Sequence, residues 1–426
     1  MDNNIKKIEN KILDENLYKT TLDNGLDIYI CKREGFVKKI GLFGTKYGSI
    51  TNDFIDVKTK ERVTVPDGIA HFLEHKLFEQ EGANALDLFS KEGINSNAYT
   101  SFNQTVYYFE TISKFNKGLE MLIKLVKTPY FTDENVEKEQ GIIGQEISMY
   151  ENEPEYVSYF NALKCMYNTH PIKIDIAGTK ESISKITKET LYTCYNTFYH
   201  PSNMFIILVG DINVEESINL IKENLKIYEK DIKKEEIIKF KVEEKNEISK
   251  EKNTQLLNVY MPQITMGYKM DVVSNNEIIK REVTAEIISE MYFSKTSKFY
   301  EEQYNQGNIS DDISFNYEGS NEFSHIIIST SSTKEDIINN VKEYIAKIKL
   351  EEIDKALFEK IKRKKIGEMI ALSESQKIIY RRIIDSIINE SEIYYDVDYT
   401  FNITTEDIKS FLNLLEKDKF VVSIVK

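Results

Sequence analysis

Only three cysteines, Cys31, Cys165 and Cys194, are spread along the 426 residues. Three thiols so far apart exclude a disulfide framework and a thiolate metal site. None stands beside a histidine in the sequence, so a cysteine nucleophile has no local support. Long apolar runs are also missing, and nothing approaches the roughly 20 residues that cross a bilayer. The opening Met1 to Asn10 has no apolar core and does not read as a signal peptide. A soluble, cytoplasmic protein without a membrane partner is expected. Positive charge is in deficit, with 56 Lys and Arg against 70 Asp and Glu and a net charge of −14. That balance argues against nucleic acid, whose phosphates need a basic face. Histidine is scarce too, five in all, which gives weight to any two placed together.

What is present is ordinary for a globular chain, 41% hydrophobic and 11% aromatic, and long enough for two domains. Tyr18 to Lys32 alternates around Asp23-Asn24-Gly25, a hairpin signal. Lys38 to Ile50 reads as a second strand region. Its Gly41, Gly44 and Gly48 lack the Gly-Lys-Ser/Thr ending of a phosphate loop. A helix should start near Asp67, taken as its N-cap after Pro66. Asn97 to Thr111 reads as strand, Asn116 to Lys127 and Asp133 to Tyr150 as helices, Thr187 to Phe198 as helix and Met204 to Val209 as a buried strand. Lys230 to Asn253 is dense in Lys and Glu and reads as a solvated linker. The division expected is 1–229, a charged linker 230–253, and 254–426.

The second part repeats the first. Ile186 to Leu191 resembles Ile403 to Ile408 at an offset of 217 residues, Ala70 to Phe78 resembles Ala285 to Phe293 at 215, and Ile143-Gly144 resembles Ile366-Gly367 at 223. Near-constant offsets of half the length point to an internal duplication.

The first copy carries a pattern that the second lacks. His71-Phe72-Leu73-Glu74-His75 is the H-x-x-E-H signature of an inverted zinc peptidase site. On a helix His75 lies about 40° round from His71 and Glu74 about 60° the other way, so all three share a face. At offset 215 the matching residues are Glu286, Ser289 and Glu290. The helix therefore does not need two histidines in order to pack. A catalytic zinc usually has three protein ligands and an open position. The helix from Asp133 offers Glu134, Glu137, Glu139 and Glu146 as the third. Glu139 and Glu146, seven apart, share a face. Glu146 stands among Ile142, Ile143 and Ile147 and is expected to be buried. His170, His200 and His325 read as packing residues.

These residues resemble the pitrilysin/insulinase family of zinc peptidases, most closely its small bacterial YfmH-type branch. The resemblance runs through His71 to His75, Asn97-Ala98-Tyr99-Thr100-Ser101, Glu137-Lys138-Glu139, Gly144-Gln145-Glu146-Ile147, His170-Pro171, Ala177-Gly178-Thr179 and Tyr199-His200-Pro201-Ser202-Asn203. It implies one zinc per chain held by His71, His75 and Glu146, with Glu139 orienting a ligand. It implies that Glu74 is the general base of peptide hydrolysis, and that Asn97, Ala98, Tyr99 and Thr100 pair with the peptide substrate as an added strand. The implied fold is α+β: two similar halves, each an antiparallel-rich sheet with helices on one face. Full peptidases of the family often carry an arginine and a tyrosine near a glycine that matches Gly307. Here those positions hold Gln303, beside Tyr304, and Ser310. The resemblance thus implies the metal-bearing subunit of a pair, a heterodimer with a second family subunit or else a homodimer. The alternative is a weakly active or inactive zinc-binding scaffold.

Overall fold

The computed structural model describes residues 5–228 and 232–426, so the expected boundary at 229–231 lies outside the described residues. The chain forms two compact units. In the first, β1 (Lys6–Asn10), β2 (Glu15–Thr21), β3 (Asp27–Lys32) and β4 (Lys39–Thr45) precede helix α1 (Ile69–Phe78). Then come β5 (Asn95–Thr100), β6 (Thr105–Thr111), α2 (Phe115–Lys127), α3 (Asp133–Tyr150), α4 (Lys188–Phe198) and β7 (Met204–Gly210). The sheet order is β1-β2-β3-β7-β4-β6-β5. β7 runs parallel to β3 and antiparallel to β4. Asn97 to Thr111, expected as one strand, is a hairpin. It turns at Ser101, whose N–H donates to the Gln104 carbonyl at 2.8 Å.

The second unit holds β8 (Lys252–Gln255), β9 (Gln263–Lys269), α5 (Asn276–Tyr292), β10 (Ile313–Gly319) and β11 (Ser324–Ser331). It continues with α6 (Asp336–Leu350), α7 (Lys355–Ala371), α8 (Thr405–Asn413) and β12 (Phe420–Val425). Its sheet order, β8-β12-β9-β11-β10, repeats β3-β7-β4-β6-β5 strand for strand. The parallel pair falls at the same place, β8 with β12. The helix starts repeat as well. Thr187 caps α4 by accepting the Thr190 N–H, and Thr404 caps α8 by accepting the Asp407 N–H. The fold is α+β in two similar halves, and the duplication read from short sequence matches is carried by topology.

The units differ from the contiguous stretches 1–229 and 254–426 by two exchanged segments. Ser148–Ile174 belongs to the second unit and Ser373–Ile384 to the first. Strand geometry gives the reason. Alternate residues of β9, Ile264, Met266 and Tyr268, enter the core beneath the unit's own helices. Thr265 and Gly267 face the other way, and there lies the helix Pro154–Met166. Its Ser158 hydroxyl donates to Thr265 Oγ1 at 2.8 Å, and a Cβ on Gly267 would stand 2.3 Å from Met166 Cε. With both faces covered, β12 is buried along its whole length, which suits its apolar run. In the first unit the segment 373–384 packs against the sheet: Gln376 donates to the Lys38 carbonyl at 2.6 Å, and buried Arg382 lies 3.5 Å from buried Glu15. Most charged side chains between residues 232 and 251 face solvent; residues up to Lys241 go with the first unit and those from Val242 with the second. No described helix is long and apolar enough to cross a membrane.

Candidate metal centre

Helix α1 begins one residue later than the sequence suggests. Its N-cap position is Gly68, at φ 86°, with no side-chain cap. The expected cap, Asp67, instead accepts a 2.6 Å hydrogen bond from the Asn52 amide. A Cβ on Gly68 would lie 2.4 Å from the Ala177 carbonyl oxygen, and one on Gly178 2.6 Å from the Asp67 carbonyl oxygen. Only glycines allow this approach of two backbones, which seats the start of α1 against Ala177-Gly178-Thr179. The rest of α1 is buried at Ile69, Ala70, Phe72, Leu73, Glu74, Lys76, Leu77 and Phe78, leaving His71 and His75 partly open.

α3 lies beside α1 and brings Glu146 to the two histidines. His71 Nε2 stands 3.8 Å from Glu146 Oε1, and His75 Nε2 stands 3.6 Å from Glu146 Oε2. One ligand atom from each of the three lies within 4.8 Å of the others. Ligand atoms about 2.0–2.1 Å from a tetrahedral zinc are about 3.3–3.4 Å apart, so closing this set on the ion from a span of up to 4.8 Å takes side-chain shifts of up to about an ångström. Two imidazole nitrogens and a carboxylate are also the donor types of a catalytic zinc. Ile143 and Ile147 are buried as expected, whereas Ile142 is exposed and Glu146 is half-buried, turned along the edge of the buried stripe. Glu134 and Glu137 point to solvent and take no part.

The supporting contacts set protonation and orientation. Glu139 Oε1 accepts from His75 Nδ1 at 3.1 Å, which leaves the Nε2 lone pair directed at Glu146. Burial, with His75 next to it, pushes His71 down to about 3 and keeps it neutral. Burial opposes charge on His75, but the hydrogen bond to Glu139 and the carboxylates of Glu74, Glu139 and Glu146 hold it above the ordinary histidine value. Burial also works against ionisation of Glu139, yet His75 and Lys76 keep its carboxyl below the usual range. Glu74 is raised by burial, against a lowering hydrogen bond from Thr100. That bond is short: Thr100 Oγ1 donates to Glu74 Oε2 at 2.6 Å.

Thr100 ends β5, the edge strand of the first sheet. β5 is bonded to β6 on one side, and its other side has no strand partner among the described residues. Asn97 is exposed, and Ala98, Tyr99 and Thr100 are half-buried along this edge, beside α1. Two features escaped the sequence reading. One is the bond from Thr100 to Glu74, which spacing does not encode. The other is Lys76, fully buried next to His75; a lone cation between the apolar pairs Phe72-Leu73 and Leu77-Phe78 was the available signal.

The remaining candidates behave as packing groups. His170 Nδ1 accepts the Ile172 N–H at 3.1 Å, His200 Nδ1 accepts the Ser202 N–H at 3.3 Å, and His325 bonds Tyr167 at 2.8 Å. All three cysteines are buried, and desolvation pushes Cys31 and Cys194 up to about 12 and Cys165 to about 11, which leaves inert thiols. In the second unit Gln303 is buried, its Oε1 accepting from Asn308 at 2.8 Å and Asn340 at 2.7 Å. Tyr304 and Ser310 are exposed.

Comparison with known proteins gives a family and a fold. Residues 63–180 match the family profile described as "Insulinase (Peptidase family M16)", and residues 185–365 match "Peptidase M16 inactive domain". The chain is 39% identical over 417 residues, 96% of each protein, to the "Uncharacterized zinc protease YmfH" of Bacillus subtilis (strain 168). It superposes on the crystal structure of a putative M16-like peptidase from Alicyclobacillus acidocaldarius with a TM-score of 0.92 and 30% identity, over 97% of this chain and 98% of that one. The fold is shared with pitrilysin at a TM-score of 0.75 and 16% identity, where 99% of this chain covers 46% of the larger protein.

Proposed function

The chain belongs to the insulinase family of peptidases (family M16), and from that premise we propose that it is a zinc-dependent endopeptidase acting on peptides or short unfolded segments. The observation that carries this reading is the meeting of His71, His75 and Glu146 beside a buried, hydrogen-bonded Glu74, next to an open strand edge. When bound there, a zinc ion supplies Lewis-acid chemistry, acidifying water and polarising a carbonyl. The protein's own groups do the rest. The edge of β5 from Asn97 to Thr100 takes the peptide as an added strand through backbone hydrogen bonds, which gives affinity with little sequence choice. Thr100 holds Oε2 of Glu74, so Oε1 is the free base. It takes a proton from the attacking water and returns it to the leaving amine. Burial raises the Glu74 pKa toward the working pH, which improves such a base. Glu139 keeps the His75 ring in the tautomer that ligation needs.

In this reading the chain is the metal-bearing subunit of a two-chain complex. Its support is Gln303, the residue at the position where the family resemblance places an arginine: it is neutral and buried, and its Oε1 is bonded to Asn308 and Asn340 of the second unit. A second chain would supply the missing cation and hydroxyl. The same observation favours the alternative, a zinc-binding scaffold with little cleavage. One experiment separates them: bound zinc and cleavage of a quenched peptide library, for the wild type and Glu74→Gln, alone and with a candidate partner. One zinc per chain and cleavage abolished by Glu74→Gln supports the peptidase. Zinc without cleavage in any pairing supports the scaffold. No zinc overturns the ligand assignment.

A further inference from the structure

Lys76 is wholly buried, although an ammonium out of water is costly unless its protons find acceptors. Its Nζ pairs with the Glu79 carboxylate, donates to the Asn135 carbonyl at 3.1 Å and stands 3.7 Å from Glu139 Oε2. Glu139 is thus shared: Oε1 takes the His75 N–H and Oε2 faces Lys76. Asn135 and Glu139 are one turn apart on α3, and Glu146 lies two turns beyond Glu139 on the same face. A clamp at Asn135 and Glu139 therefore fixes the register in which Glu146 meets the histidines. The duplicated helix supplies the control. At offset 215 the residue matching Lys76 is Met291, also buried, so this slot packs with an unbranched apolar chain and needs no cation for the fold.

We propose that Lys76 is a positioning residue of the metal centre, its ammonium holding the Glu139 carboxylate so that His75 and Glu146 are aligned before metal arrives. This rests on the reading of His71, His75 and Glu146 as zinc ligands. The test is a double-mutant cycle of Lys76→Met, Glu139→Gln and the double variant in the full chain. Its readouts are the zinc dissociation constant by chelator competition and the thermal midpoint of the metal-free protein. Lys76→Met fills the slot as Met291 does, and outer contacts of this kind are typically worth about 10–100-fold in metal affinity. Each single variant should weaken zinc by about that factor, and the double should be no weaker than the weaker single, because Lys76 acts through Glu139. A dissociation constant for Lys76→Met within about twofold of wild type, or losses that multiply in the double, overturns the proposal. If Lys76→Met alone does not fold, the stability arm decides. A double variant that folds again shows that the ammonium exists to neutralise Glu139, and one that does not overturns it. Zinc-free wild type would sink the ligand reading itself, whereas zinc-bound wild type with an uncoupled cycle sinks only the role of Lys76.

Discussion

The helix pairs α1/α3 and α5/α7 occupy the same place in two copies of one topology, yet their seams hold different chemistry. Between α1 and α3 stand two histidines and Glu146, with Glu139 and Lys76 behind them. Between α5 and α7 the residues matching His71 and His75, Glu286 and Glu290, form ion pairs with Lys365 (2.9 Å) and Lys364. At these two positions the seam is half-exposed and is filled by complementary charge. The proposed metal site gives the histidines of the first copy a role that the packing of this helix does not require.

The sharpest way to break the comparison is to remove the ligand set. His71→Ala or Glu146→Gln should lower bound zinc from one per chain to near zero and abolish cleavage, while the fold survives, as the duplicated helix does with Glu286 in place of His71. Metal analysis alongside circular dichroism decides this. Retained stoichiometric zinc would show that the metal sits elsewhere. Next in size is Glu74→Gln, expected to cost about 10²–10⁴-fold in kcat with zinc still bound, the range of general-base loss. Equal loss of zinc would make Glu74 a ligand. Thr100→Val removes the hydroxyl that holds Glu74 Oε2. A hydrogen bond to a charged group is worth about 1.5–3 kcal/mol, so kcat should fall on the order of 10-fold or more without change in zinc content. An unchanged kcat would confine Thr100 to the strand edge.

How much of this was readable beforehand follows from what local sequence encodes. The bounds of α3 match the expected Asp133 to Tyr150, because its start is marked by local chemistry: Asn135 N–H donates to Thr132 Oγ1, and Thr132 N–H donates to Asn135 Oδ1. The β5–β6 hairpin was hidden because its turn, Ser101 to Gln104, contains neither Gly nor Pro. The helix Pro154–Met166 was missed, although Pro154 at its first turn is a start signal, because it is buried at Phe160, Asn161, Ala162 and Leu163 and has no clean periodic stripe. Its packing on the second sheet, like that of 373–384 on the first, depends on contacts more than 100 residues distant that no window reveals. At the site the helix that brings His71, Glu74 and His75 together was legible in one pentapeptide. The hydroxyl on Glu74 and the cation behind Glu139 come from tertiary proximity.

The second unit buries charge too, but for structure. Glu244 accepts the N–H groups of Asn168, Thr169 and His170 at 2.7–2.8 Å and pairs with buried Lys269 at 2.6 Å. Burial opposes its ionisation, but these donors hold the carboxyl down at about 2, from an ordinary 4.5. A depressed folded-state pKa means that the contribution is whole above 4.5 and is lost as pH falls toward about 2. Denaturant titrations from pH 5 to 2 should show stability falling more steeply in wild type than in Glu244→Gln. Parallel curves would remove Glu244 from the acid response.

The smallest expected effect tests the comparison from its quiet side. The pair Lys365–Glu286 is half-exposed, and exposed ion pairs contribute about 0–1 kcal/mol. Lys365→Met with Glu286→Gln should therefore move the stability of the second unit by no more than about 1 kcal/mol, and should leave zinc content and kcat/KM untouched. The value of the experiment lies in its symmetry with His71→Ala. Both alter the same position of the duplicated helix, one in each copy, and only the first should cost the metal. If the second-unit change also weakens zinc or cleavage, the seam between α5 and α7 contributes to the active site, and the division of labour between the two copies is not the one their ion pairs and histidines describe.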